Sequence, residues 1–575
     1  MDVTIIIRIF ADETNQCCMR KICLFITLCF ALGAFAQRVS EAQALQKAQA
    51  FMQGKSFSKT NKARSVMGKS QTTPFDNFYI FNVENDEGFV IVSGDARTKE
   101  ILGYSDRGHL NYDEMPCNLK SWLGYYEEAI KAIPDDLKPS KAATRGAREA
   151  VSPLLMKNGR EILWYQGPPF NDYCPASPED PNEKSVTGCV ATAMAQVMYF
   201  YEWPNKLPAL DAYTYNDTVT VSALEAKTMN WNGEDELRWL SRYCGQSVQM
   251  RYGKDGSSAT DGTASAAMVN HFQYDKAEHT VHRDAYDADT WDELMYKELI
   301  AGRPVIYAGH DVVSEPGVDY GHAFVIDGYD GNGYYHVNWG WGGGTDYYAL
   351  DVMNAPNDRM YSSKQMAAIG IQPENGGKAD YPLFACTLME VTSDLEVTRE
   401  SADDTFKNVT VSWRMATQLA EPGTFNLCIY ISDATSGEPL LTYSENEMQV
   451  GHTYSHSMPF DGQDWVICPK GIDGKTDLWR DGTYKLSMRY RAAGEEKWRE
   501  PEGVDYRYIT MTKSGNTLKF VNHPTSVGPD PTGISAPSIK MPATGDDVYY
   551  DLTGRRVKSP TKGLYIKNGQ KVVVK

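Results

Sequence analysis

The run VTGCVATAMAQVMYFYEWP, Val186 to Pro204, constrains this chain more than any other stretch. A glycine and a cysteine stand ahead of a long series of small and apolar residues. Ala, Met and Gln are strong helix formers, so a helix is expected to begin at Cys189. A thiol in that position meets unsatisfied N–H groups and the positive end of the helix dipole, which favour thiolate. The same stretch also suits an inert thiol, because free cysteines are commonly buried as small hydrophobes. The run alone leaves both readings open.

At 575 residues the chain is too long for one ordinary core, and two to four domains are expected. Its formal net charge of -18 argues against a nucleic-acid binder or a binder of anionic membranes. MRKICLFITLCFALGAFAQ, Met19 to Gln37, has a basic start, an apolar stretch and an A-x-A site at Ala34–Ala36. It reads as a signal peptide cleaved before Gln37, with Met19 as an alternative start. Neither that stretch nor any later one is a transmembrane segment, so export as a secreted or cell-surface protein is expected. The leader takes four cysteines with it, leaving Cys117, Cys174, Cys189, Cys244, Cys386, Cys428 and Cys468. An odd number in an oxidising compartment leaves one thiol unpaired. There is no CxxC pair, so a cysteine-rich zinc site is not expected; Cys–His chemistry requires no metal, and no cofactor is expected.

Patterning divides the rest. Residues 37–150 begin as a small α+β unit and end in KPSKAATRGAREAVSP, where Arg145 and Arg148 sit in an Ala/Gly context suited to proteolytic cutting. Residues 151–373 are rich in Trp, Tyr and Gly, with a helical half followed by strand-like runs such as PVIYAG and HAFVIDGYD. Residues 374–522 alternate as a β-sandwich of Ig-like type. Residues 523–538 form a Pro/Gly/Ser linker, and 539–575 a short tail of two or three strands.

A thiolate nucleophile needs a base. In DYGHAFVIDGYDGNGYYHVNWGWGGGTDYY, His322 opens an apolar strand that turns at Asp330–Gly333 and returns through Asn338 and Trp339. An Asn amide can orient an imidazole and an indole can shield it. His336, on the return strand, reads as structural, and His310, in a polar loop, is a rival base. Upstream, WYQGPPFNDYCP supplies Gln166, whose amide can act with the Cys189 N–H as an oxyanion donor.

These three segments resemble the streptopain-type cysteine peptidases, a papain-like group of secreted bacterial enzymes that includes interpain. The resemblance covers about residues 38–373, with the motifs in family order. It implies an α+β chain: a papain-like peptidase domain between an inhibitory propeptide and the β-sandwich. It implies a secreted endopeptidase made as a zymogen, acting on protein and peptide substrates. Cys189 would be the nucleophile, His322 the general base and acid, and Gln166 part of the oxyanion hole. Asn338 and Trp339 fall in the motif flanking the histidine, and Ser258 and Gly321 would line the cleft. Residues 37–150 would be the chain's own intramolecular inhibitor, released by cleavage near Arg145 or Arg148. The tail, through YDLTGRRV and GLYIKNGQKVVVK, resembles the sorting signals of type IX secretion cargo, which implies secretion machinery as a partner. Two other readings of a Cys–His pair are a transglutaminase-like acyltransferase and a catalytically silent adhesin.

Overall fold

A computed structural model of the chain describes residues 38–54, 65–115, 117–133, 148–259, 263–310, 321–343, 346–351, 365–401, 406, 408–418, 423–450, 453–459, 480–524, 549–550, 556–557, 563–567 and 570–574. The leader, Arg145 and residues 525–538 of the linker lie outside the described residues. The chain forms two units, Met1–Ser526 and Val527–Lys575. Among the described residues, no helix is long and apolar enough to cross a membrane.

The first unit is mixed α/β. Its helices include α1 (Glu41–Gly54), α2 (Cys117–Lys131), α3 (Cys189–Tyr201), α4 (Glu234–Ser247), α5 (Thr263–Phe272) and α6 (Ala288–Ile300). Helix α3 starts where the sequence placed it and stops before Trp203-Pro204, with Glu202 in the left-handed conformation. The residue before a proline is biased out of the helical region, which gives that stop its cause. Helix α6 is capped by Asp287, whose side chain accepts the Thr290 N–H at 2.7 Å.

One antiparallel sheet runs through this unit. Its strands are β1 (Phe78–Asn82), β2 (Phe89–Ser93), β3 (Ile101–Ser105), β4 (His279–His282), β5 (Val305–His310), β6 (Gly321–Tyr329), β7 (Tyr335–Asn338), β8 (Asp346–Tyr348) and β9 (Met366–Ile369). Their order is β1-β2-β3-β8-β7-β6-β5-β9-β4. The N-terminal segment is therefore no separate layer. Its strand β3 pairs with β8, Gly103 opposite Tyr348 and Tyr104 opposite Tyr347.

The two faces of the sheet carry different cores. On one face Ala323 and Val325 of β6 pack with Ala191, Met194 and Val197 of α3 and with residues of α4 and α5. On the other, Phe324 and Ile326 pack with Trp291 and Met295 of α6 and with Trp122, Leu123 and Tyr126 of α2. Successive residues of a strand face opposite ways, which explains the division. Helix α1 covers β1–β3 through a smaller cluster that includes Ala44, Ala48 and Met52.

Beyond residue 373, β10 (Phe384–Val391), β11 (Glu396–Thr398), β12 (Val411–Gln418), β13 (Gly423–Asp433), β14 (Pro439–Val450), β15 (Thr453–Pro459), β16 (Gly482–Ala492), β17 (Tyr508–Ser514) and β18 (Thr517–His523) form two sheets. The orders are β10-β12-β15 and β11-β18-β17-β16-β13-β14. Met389 and Trp413 of the first sheet share a core with Ile429, Leu486 and Ile509 of the second. The second unit contains a four-stranded sheet of Tyr549–Tyr550, Arg556–Val557, Gly563–Lys567 and Gln570–Val574. The sequence suggested two or three strands there. Two of the four are only two residues long, too short to show an alternating pattern.

Trp122 joins the N-terminal segment to the main sheet. It is 4% exposed and meets Phe324, Tyr307 and Trp339 edge-on or tilted, at ring separations of 5.6, 6.1 and 6.3 Å. Trp122→Ala is expected to cost about 3–5 kcal/mol of local stability. Hydrogen exchange should quicken in α2 and β3 while α4 and α5 stay protected.

Candidate active site

Gly188 takes φ +85° immediately before α3. A Cβ there would lie 2.7 Å from Met250 Cε, 2.8 Å from Met250 Sδ and 3.1 Å from the Ser257 carbonyl oxygen. Only glycine suits both the conformation and the space. Thr192, one turn in, donates to the Gly188 carbonyl at 3.0 Å and meets the Thr187 hydroxyl at 2.7 Å. The approach to Cys189 is thus held from both sides.

Among the cysteines whose side chains are described, exposure singles out this thiol. Cys189 is half-buried, whereas Cys174, Cys244, Cys386 and Cys428 are buried. Burial pushes the Cys174 and Cys386 thiols up to about 12 and also raises Cys244. Those three stay protonated at neutral pH and are poor nucleophiles.

Gln166 is 9% exposed, and its carbonyl accepts the Thr187 N–H at 3.0 Å, two residues before Cys189. The segment that carries it is laced in place. Trp164 N–H donates to Gln196 Oε1 at 3.1 Å, and the Trp164 carbonyl accepts from Gly342 N–H at 3.0 Å. Sequence reasoning passed over Gln196. Its signal was a lone amide in an apolar helical run, where a buried polar group needs a partner.

Strand β6 pairs His322 with Gly309, and Asn338 lies opposite Val325 rather than opposite His322. By alternation His322 takes the register of Phe324 and Ile326, on the face toward α2 and α6. Asn338 serves the opposite face. Its Nδ2 donates to the Ile162 carbonyl at 2.7 Å, and its Oδ1 accepts the Gly340 N–H at 3.0 Å. Trp339 is 1% exposed, 4.7 Å from the Phe324 ring and 5.3 Å from the Tyr348 ring.

His336 is buried with its Nδ1 2.6 Å from Asp327 Oδ1. Burial pulls that imidazole down, but the Asp327 charge and hydrogen bond, with the charges of Glu161 and Asp346, together hold the group above its ordinary value. His310 ends β5 opposite Gly321 and is not in a loop, because the β5–β6 ladder continues to that pair.

Ser258 is exposed and exchanges backbone hydrogen bonds with Arg251 at 2.8 and 3.0 Å. Its neighbour Ser257, which the sequence did not single out, donates to the Val186 carbonyl at 2.7 Å and fixes this wall beside the cysteine. Arg148 is anchored. It pairs with Asp292 at 2.8 Å and Glu293 at 3.0 Å, its N–H donates to the Gly331 carbonyl, and its guanidinium lies over Tyr296.

Two family models match the chain: the Peptidase C10 family over residues 164–348 and the Spi protease inhibitor over residues 36–130. Streptopain of Streptococcus pyogenes is 34% identical over 334 residues, which are 52% of this chain and 81% of that protein. The chain belongs to the peptidase C10 family. It is a cysteine-type peptidase with a protease-inhibitor-like segment on the same chain. The thiol protease/hemagglutinin PrtT of Porphyromonas gingivalis is also 34% identical, over 330 residues, 52% of this chain. The match spans only 37% of the length of PrtT. Among solved structures, a prointerpain A fragment of Prevotella intermedia aligns with a TM-score of 0.44 and 26% identity, covering 54% of this chain and all of that one.

In this peptidase the inhibitor-like segment and the C10 region meet through polar groups as well as rings. Tyr104 donates to Asp330 Oδ2 at 2.9 Å and stacks on Tyr347 at 5.2 Å. Tyr126 donates to the carbonyls of Leu102 and Ala349, at 2.8 and 2.6 Å. Arg107 contacts both oxygens of Glu161 at 2.8 and 2.7 Å. Asp346, on β8 beside β3, is 5% exposed, and burial pushes its carboxyl up to about 6.

Two outcomes are expected. Gly188→Ala should destabilise the fold by about 1–3 kcal/mol through strain and overpacking and slow alkylation of Cys189, read by denaturation and iodoacetamide kinetics. The second concerns pH. A raised carboxyl pKa means the folded state holds its proton longer than the unfolded chain does. The stability from Asp346 is therefore full below pH 4 and is shed as pH rises through about 6. Asp346→Asn should abolish that loss, on the order of 3 kcal/mol, in urea titrations of the full chain at pH 4 and pH 7.

Proposed function

We propose that the chain is the zymogen of a secreted cysteine endopeptidase that hydrolyses protein substrates through Cys189 and His322. The observation that carries this reading is the half-exposed Cys189 at the start of buried helix α3, joined through Thr187 to the Gln166 segment. The thiolate attacks the peptide carbonyl, and the oxyanion takes hydrogen bonds from the Cys189 N–H and the Gln166 amide. His322 gives its proton to the leaving amine, then takes one from the water that opens the thioester.

The supporting residues act at one remove. Asn338 and Trp339 position the site, Asn338 by holding the Ile162–Gln166 segment and Trp339 by packing on Phe324. Gly321 and the wall at Ser258 flank the cleft. In the zymogen, α2 and β3 hold the sheet face on which His322 is registered.

The domains in this reading are the leader 1–36, a propeptide 37–150, a papain-like peptidase domain 151–373, an Ig-like sandwich 374–522, a linker 523–538 and the tail 539–575. The leader exports the protein, and the tail engages secretion machinery of the type IX kind.

Iodoacetamide labelling and casein digestion, after removal of the propeptide, test the central claim. Cys189→Ala should abolish both, and casein digestion at the parent rate would sink the proposal. The anchoring of Arg148 favours a cut before it, after Arg145. N-terminal sequencing of the mature enzyme should then begin upstream of Glu149. Arg145→Ala should delay maturation, whereas Arg148→Ala should leave its timing intact. A mature chain beginning at Glu149 or later would refute this order.

A further inference from the structure

At the edge of the main sheet farthest from the N-terminal segment, a small cleft of about 50 Å³ opens between β4 and the C-terminal β region. Its walls are apolar and polar in about equal measure, the apolar part coming from Val269 and Ala266 of α5 and from Tyr381, Leu383 and Phe384 on the other side. Glu278, His279, His282 and Glu502 also line it. No residue of the Cys189 region does.

The acids differ in their commitments. Glu502 faces His279, with Oε1 3.5 Å from Nε2, and the His279 ring stacks on Tyr381 at 4.2 Å. Glu278 is only 1% exposed, and neither carboxylate oxygen has a hydrogen-bond partner among the described residues. A buried carboxyl left in that condition costs free energy, which a cationic donor would recover. Burial, with Asp275 nearby, keeps the Glu278 carboxyl protonated well above its ordinary range. Burial also pulls His282 down to about 4, so at neutral pH its ring is an uncharged acceptor.

We propose that this cleft is a binding site for a primary alkylammonium group, supplied by a lysine side chain of a protein or by a free amine. The ammonium places its N–H donors against Glu278, and the alkyl chain lies along Val269, Leu383 and Phe384. On binding, the Glu278 O–H bond breaks, its proton passes to the buffer, and the resulting carboxylate pairs with the ammonium. Aromatic and apolar side chains beside the unpartnered acid Glu278, with Glu502 already facing His279, suit such a cation. They do not suit a metal ion, which needs several ligands converging on one point. Among the described residues no such ligand cluster occurs.

The test uses the full chain carrying Cys189→Ala, which prevents self-digestion. Pentylamine, Nα-acetyl-lysine methylamide and the neutral control 1-pentanol are titrated calorimetrically in two buffers of different ionisation enthalpy. Saturable binding of at least one amine and none of pentanol is expected, with about one proton released per amine bound at pH 7. Glu278→Gln should weaken binding at least tenfold. Ala266→Leu, which fills the cleft and leaves the acid in place, should do the same. Binding by the lysine amide alone identifies a protein side chain as the source, and binding by pentylamine alone identifies a free amine. Absence of saturable amine binding, equal binding of pentanol, or unchanged affinity in folded Glu278→Gln would overturn the proposal.

Discussion

Backbone pairing between Gly103 and Tyr348 makes one sheet from two segments that the sequence presents as separate. The pairing needs a residue without a side chain. A Cβ at Gly103 would lie 2.7 Å from the Tyr348 ring. Once β3 and β8 are joined, α2 lies over the face opposite α3, and Trp122 fills the space among Tyr307, Phe324 and Trp339. The inhibitor-like segment therefore supplies part of the core beneath the strand that carries His322. Removal of the segment would take Trp122, Leu123 and Tyr126 out of the core that holds Phe324 and Ile326 of that strand.

The candidate site is assembled by side chains that do no chemistry themselves. Gly188 lets the chain turn into α3 beneath Met250. Gln196, two turns further along the helix, accepts from Trp164 and draws in the segment that carries Gln166. Asn338 holds the same segment from the sheet side. Cys189 and Gln166 are thus positioned by one lattice of hydrogen bonds within the α3 side of the molecule. His322 belongs to a strand whose register answers to the other side.

Two buried acids stand where other segments join the sheet. Asp346 lies where the N-terminal segment joins, and Glu278 stands just before β4, where the C-terminal β region docks. Each carboxyl is pushed upward chiefly by burial. A buried ionisable group makes the surface that covers it responsive to whatever changes its charge. At Asp346 that agent is the proton, and at Glu278 it is the proposed cationic ligand.

Much of the site was legible in the chain itself. The start of α3 at Cys189 followed from a glycine, a cysteine and a run of helix formers, all local properties. The β6–β7 hairpin followed from apolar runs around Asp330–Gly333. The tasks of Asn338 and Gln196 were not legible, because their partners lie 176 and 32 residues away. Nor was the face of His322, which depends on the register of β6 against β5 and on the packing of Phe324. The sequence by itself determined the family, the order of the inhibitor-like and peptidase segments and the start of α3 at Cys189, since these rest on local motifs. Only the tertiary structure decided that the N-terminal segment completes the main sheet, that Arg148 is anchored, and that an acid at the far edge has no hydrogen-bond partner among the described residues. Those outcomes depend on long-range pairing and burial, which no local pattern encodes.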